Sequence, residues 1–187
     1  MMPTIKVSMD TTQLKRALDQ LGRRAPQAIM RALNKTARTV RTQVLREIRK
    51  EIRLPAKDLR PMLPMIPATK DHLEAKIVAR GRAISLMRLG AKQTRLGVTY
   101  KGPSGRELIR SAFIATMPGR RRPNVWAREG KPRLPIEKQV GPVLSNVVIE
   151  KGIFAAQQAK AAEALAKNLA HETAYLLGQV AKRKLHA

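Results

Sequence analysis

Three histidines, His72, His171 and His186, are the side chains best suited to acid–base or metal chemistry in this chain, and their spacing supports neither. None stands in a HExxH arrangement or a comparable ligand spacing. His171 and Glu172 are adjacent, so on a helix they project in different directions and do not readily share a metal. The thirteen Asp and Glu residues are dispersed, and no pair stands out as a general acid and base. The segment Gly102-Pro103-Ser104-Gly105-Arg106 has the small residues of a phosphate loop. It lacks the GxxxxGK[ST] spacing and is not GxSxG, so it reads as a hairpin turn. The absence of cysteine excludes disulfides, thiol catalysis and Cys-based zinc sites. No catalytic, metal or cofactor-binding residue is assigned, and an enzyme is not expected.

Charge carries the stronger signal. The net charge is +25, far more self-repulsion than an isolated domain gains from. That excess points to a polyanion: nucleic acid, an acidic protein surface or an anionic membrane. Its densest point is Pro118-Gly119-Arg120-Arg121-Arg122-Pro123, a loop held between two prolines. Arginines placed there suit charge-assisted bonds to phosphate or carboxylate, although such a loop tip also simply keeps a protein soluble. Trp126 could stack on a base, but an anchor in a core or an interface is the plainer role. Aromatics make up 3% of the chain, and no helix-turn-helix, zinc-finger or RNA-recognition signature is present. Contact with a phosphate backbone therefore fits better than base reading.

The element that must position much of this charge runs from Pro26 to Arg53. Ile29, Leu33, Ala37, Val40, Val44, Ile48 and Ile52 recur every three or four residues, the period of one helix face. Pro26 suits a first turn, and Pro55 biases Leu54 away from helical geometry. At 1.5 Å per residue the helix is about 40 Å long. Arg31, Lys35, Arg38, Arg41, Arg46, Arg49, Lys50 and Arg53 lie off the apolar face, opposed only by Glu47 and Glu51. The solvated reading is a basic outer face; the sharper one assigns Arg31, Arg38, Arg41 and Arg49, with Arg120, Arg121 and Arg122, to face DNA.

Around this helix the pattern is mixed. Ile5, Val7 and Met9 alternate with polar residues as a strand, and Asp10 or Thr11 can cap a helix through Leu14, Leu18 and Leu21. Pro61, Pro64 and Pro67 punctuate an apolar stretch in which Met62, Leu63, Met65 and Ile66 either cover the core or, with Trp126, meet a neighbouring subunit. Short strands are expected around residues 73–80, 96–100, 108–117 and 125–128, with a Pro-tolerating edge strand at Leu134-Pro135-Ile136. Phe113 and Ile114 are expected to anchor their strand to the long helix. Pro142 opens a final helical region, bent at Gly152, with Ala162, Leu165, Leu169, Leu176 and Val180 on one face. The fold class is α+β: an antiparallel sheet packed against a long N-terminal and a long C-terminal helix. One domain is expected over 1–187, with 143–187 a helical region free to project. No run reaches membrane-spanning length, and no signal-peptide core is present at the N-terminus, so assembly in the cytoplasm is expected.

Several of these segments also carry a resemblance. Ala32-Leu33-Asn34-Lys35-Thr36-Ala37, the run from Arg110 to Met117, Val125-Trp126-Ala127-Arg128, Arg133-Leu134-Pro135-Ile136 and Gly141-Pro142, in that order, resemble the minor tail protein Z family of tailed phages and prophages. The resemblance covers roughly residues 5 to 150. It implies a structural tail completion protein, without catalysis or cofactor, at the head-proximal end of a long non-contractile tail in the virion. It implies a homo-oligomeric ring whose partners are the tail tube or terminator ring, the head connector and double-stranded genomic DNA, with no membrane or small-molecule substrate. The family supplies no DNA-facing residues; those are assigned from charge alone. The alternative is a non-specific basic nucleic-acid-binding protein.

Overall fold

Helix α1 (Ala25–Glu51) forms where the apolar residues recur at helical spacing, and all seven residues from Ile29 to Ile52 named for its inner face are buried. Pro26 lies in its first turn, and Arg49 and Lys50 in its last turn complement the negative end of the helix dipole. Ile52 leaves the helix in extended geometry, three residues before Pro55. The computed structural model describes residues 3–7, 22–102, 105–130 and 132–185. The expected helix through Leu14, Leu18 and Leu21, together with Met9 and His186, lies outside them.

Among the described residues one short strand precedes α1; beyond it, helix α2 (Ala56–Leu59) and a 3-10 turn (Arg60–Met62) lead into ten more short strands and two C-terminal helices. The strands are β1 (Thr4–Val7), β2 (Met65–Ile66), β3 (Ala75–Val78), β4 (Ala83–Ser85), β5 (Lys92–Thr94), β6 (Gly97–Lys101), β7 (Arg106–Arg110), β8 (Ala112–Ala115), β9 (Asn124–Arg128), β10 (Ile136–Lys138) and β11 (Val140–Val143). The helices are α3 (Leu144–Glu150) and α4 (Ile153–Leu185). Among the described residues all strand pairings are antiparallel, in four small sheets ordered β1-β3-β2, β5-β6-β7, β8-β9-β10 and β4-β11. The fold is α+β, with these sheets packed against the two long helices.

The breaks between sheets have local causes. Residues 108–117 read as one strand from pattern alone, but Ser111 adopts a positive φ of 58° and divides them into β7 and β8. Gly152 has a φ of 57° and separates α3 from α4, a conformation a side chain would strain. Pro142 lies within β11 rather than opening a helix, and the helix begins two residues later.

Helix α4 runs antiparallel to α1. Leu176 packs with Ala25 and Ala28, Asn168 donates to the Thr36 hydroxyl at 2.9 Å, and Lys151 lies 3.4 Å from Glu51. Leu165 and Leu169 enter the main core as expected, but the buried alanine is Ala161 rather than Ala162. One residue is a 100° rotation on a helix, and the neighbouring Ala162 is exposed.

Two polar clamps hold the loops. The Asn34 carboxamide both donates to the carbonyl of Ala68 (3.0 Å) and accepts from its N–H (2.8 Å), fixing the proline-punctuated segment onto α1. The Gln93 carboxamide accepts from the Ile114 N–H at 2.8 Å and donates toward the carbonyl of Ala112, tying β5 to β8. Across β6 and β7, Tyr100 donates to the Glu107 carboxylate. Burial first, then that bond and the carboxylate's charge, push the Tyr100 phenol up to about 12.

Asn34→Ala leaves a backbone N–H and C=O of Ala68 without their partners. It should lower unfolding stability by about 1–3 kcal/mol in denaturant titration, with protease sensitivity rising first in residues 63–72. The folded state holds the Tyr100 proton above the ordinary value of 10.0, so the stability this group contributes is intact below that pH and lost as pH rises from 10 toward about 12. Thermal melts across that window should therefore fall less steeply for Tyr100→Phe than for the native chain.

Candidate polyanion-binding face

Residues seven and eleven apart stand about two and three turns apart on a helix, so Arg31, Arg38 and Arg49 align in one stripe on α1. This stripe lies opposite the buried face, flanked by the exposed Lys35, Arg46 and Arg53. The acids of α1 do not neutralise it. Glu47 binds Lys50 at 2.8 Å, and Glu51 faces Lys151 at the C-terminal end of α3. Among the described residues no ion pair engages Arg31, Arg38, Arg46, Arg49 or Arg53.

Arg41 departs from this group. It points away from the stripe, its Nη2 donates to the Arg60 carbonyl at 2.9 Å, and its Nε is buried without a partner. Burial, then the neighbouring Arg60, lower its pKa from the ordinary guanidinium value. The guanidinium pins the 3-10 turn to α1 and is committed to the chain's own backbone.

The Arg120–Arg122 loop joins β8 to β9. A turn closes it, with the Arg120 N–H donating to the Met117 carbonyl at 3.0 Å, and Asn124 donates to the Arg122 carbonyl at 3.2 Å. All three arginines are exposed. The Arg120 guanidinium lies 5.7 Å from the centre of the Trp126 ring, and Arg128 sits at the same distance over Phe113. Phe113 and Trp126 are direct cross-strand partners, so both rings stand on one face of the hairpin.

That register corrects the expectation for Phe113. Side chains alternate along a strand, so Phe113 and Ile114 point to opposite faces. Ile114 packs against the main core with Ala112 and Val125, while Phe113 lies half-buried beneath Arg128 on the other face. Trp126 is 8% exposed and donates its indole N–H to the Ala115 carbonyl at 3.0 Å. It braces the hairpin and carries Arg120, and its ring is too covered for a base to stack on it.

The proline-punctuated segment divides in the same way. Leu63 is fully buried in the core of its own chain, which removes it from any surface role. Met62 and Met65 are half-buried against that core, and Ile66 is 53% exposed. Leu134, expected in an edge strand, precedes β10 and is exposed.

Two acidic residues that pattern reading passed over come together at the β9–β10 hairpin. Glu129 hydrogen-bonds Glu137, and that bond, then the like charge, raise its carboxyl pKa. They are eight residues apart and meet only through the strand register, so spacing gave no signal. Both are exposed. His72 and His171 each lie beside a glutamate, Glu74 at 3.3 Å and Glu172 at 3.9 Å. Among the described residues no three His, Asp or Glu side chains converge on a metal-sized site, and no helix is long and apolar enough to cross a membrane.

The arrangement is therefore two arginine arrays, a helix stripe and a hairpin loop, with the acids of α1 engaged by lysines. Searches among curated proteins and solved structures gave no match. The family model described as prophage minor tail protein Z (GPZ) matches residues 11–183, nearly the whole chain, and the chain belongs to that family of phage tail proteins.

Proposed function

We propose that this chain is a structural, non-catalytic tail completion protein. It sits at the head-proximal end of a long non-contractile tail, helps join tail to head, and positions or passes genomic DNA. The observation that carries the DNA contact is the unneutralised stripe Arg31, Arg38 and Arg49, together with exposed Arg120, Arg121 and Arg122. In a phage tail protein, the polyanion at hand for such arrays is the packaged duplex. Phosphate contact would hold it without reading its sequence.

A closed homo-oligomeric ring would repeat each basic loop about the axis and build a positive collar. Met62, Met65 and Ile66 are the residues of the proline-punctuated segment that remain available to a neighbouring subunit. Trp126 would support such a contact from beneath, by holding Arg120. The partners of this reading are the tail tube or terminator ring and the head connector, and its place of assembly is the host cytoplasm. In this reading residues 1–187 form one domain that includes the helical region from 143 onward, a reading supported by α4 lying along α1 as far as Leu176.

The triple change Arg120→Ala, Arg121→Ala and Arg122→Ala tests the DNA contact. Micrographs should show normal joined particles, while infectivity falls by about tenfold or more. In solution, the slope of log affinity for duplex DNA against log salt should become shallower by roughly 0.9 for each phosphate that an arginine no longer neutralises. Unchanged infectivity would sink the DNA role of the loop. Position is tested by immunogold microscopy of an induced lysate: gold at the head–tail junction is expected. Gold spread over cellular DNA, with particles bare, would instead make the chain a free nucleic-acid-binding protein.

A further inference from the structure

A recess of about 320 Å³ lies between the 3-10 turn and β4, lined by residues of neither arginine array. Arg80, Arg82 and Arg88 line it with Ser85, and Met62 and Ile84 form part of its apolar wall. No acidic side chain lines it, and among the described residues no ion pair engages these three arginines. Three cations converging on one concavity repel one another, a cost that an anion seated there would relieve.

The shape selects among anions. Duplex DNA presents its phosphates on a convex cylinder, and an apolar-walled recess gives a phosphate row little to touch. A side chain with an apolar stem and a carboxylate tip matches both the wall and the arginines. The strand beside the recess adds a second criterion. Among the described residues β4 pairs only with β11, leaving its other edge without a strand partner. An unpaired edge takes an extended segment by main-chain hydrogen bonds, with alternate side chains entering pockets beside it. A second copy of β4 is a poor occupant, because edge-to-edge pairing would set Arg82 and Arg88 against the same arginines of the other copy.

We infer that the recess between Arg80, Arg82, Arg88 and the open edge of β4 is a docking site for an extended acidic segment of another protein. Such a segment would alternate carboxylate and apolar side chains. The site goes beyond the proposed DNA contact and does not depend on it, since none of its residues belongs to the helix stripe or the hairpin loop.

The full-length protein is titrated into a fluorescein-labelled dodecapeptide of alternating Glu and Val, read by anisotropy at physiological salt. Saturable binding is expected. The exposed pair Arg82→Ala and Arg88→Ala should weaken it by about tenfold. The charge-matched control pair Arg95→Ala and Arg133→Ala, also exposed, should leave it within about twofold. Duplex DNA titrated against the same proteins should not distinguish the two pairs. No binding by the native chain overturns the inference, as does equal weakening by both pairs, which would mean general attraction to a basic protein. A greater drop in duplex binding from the Arg82 and Arg88 pair would make the recess a DNA site. Displacement of the peptide by equimolar inorganic phosphate would make it a small-anion site. Either result overturns the acidic-segment assignment.

Discussion

The apolar seam between α1 and α4 is what allows a chain of net charge +25 to stay folded. Like charges on a compact body repel, and this chain has few acids with which to offset them. The seam answers by burying Leu33, Ala37, Val40 and Val44 on one helix, and Leu165 and Leu169 on the other, where no charge has to enter. A buried Leu or Val contributes about 1.5–3 kcal/mol relative to an exposed one, while a surface ion pair contributes at most about 1. The burial term therefore dominates, and the arginines of the helix stripe are left free of structural duty.

Two polar atoms set within that seam fix how the helices lie. Apolar side chains alone tolerate sliding, since one leucine fills a space much as another does. The Asn168–Thr36 bond is satisfied only in one register, because a slip by a turn would leave the buried Thr36 hydroxyl without its half-buried amide partner. The Asn34 clamp extends the same logic outward to the segment that follows α1. Asn34 and Thr36 both fall in the Ala32–Ala37 run that resembles the family, so that run is explained by packing and register rather than by contact with DNA.

What the sequence showed and what it hid divide along a physical line. Periodicity is a local property, so the inner face of α1 and the leucines of α4 were legible from spacing alone. The alternation of β3, with Ala75 and Ile77 buried, was legible for the same reason. Register and backbone reversals are not local. The positive φ at Ser111 broke a run that looked continuous, and this decided that Ile114 rather than Phe113 faces the core. Asn34 meets a residue thirty-four positions away, and Gln93 one twenty-one away, through bonds that composition does not announce. The arginines of the candidate site were visible as charge, but only geometry separates Arg41, bound to its own chain, from Arg38, which is not.

That separation bears on how function can be carried here at all. An active site needs groups held within a fraction of an ångström, whereas attraction to a phosphate backbone needs only net charge of the right sign on the right face. A scaffold that spends its precision on Asn34, Gln93 and Thr36, and leaves Arg38, Arg49, Arg121 and Arg122 on open surface, suits the second task, in keeping with the DNA contact proposed above. Its exactness lies in where the helices and hairpin stand, because in an assembly the position of each subunit's charge is set by the subunit's shape. The Arg120–Trp126 and Arg128–Phe113 stacks are the intermediate case: each takes a cation from the surface and uses a ring to hold it in a set direction. The hairpin thereby keeps one arginine of its loop aimed, while its two neighbours stand exposed with, among the described residues, no ring beneath them.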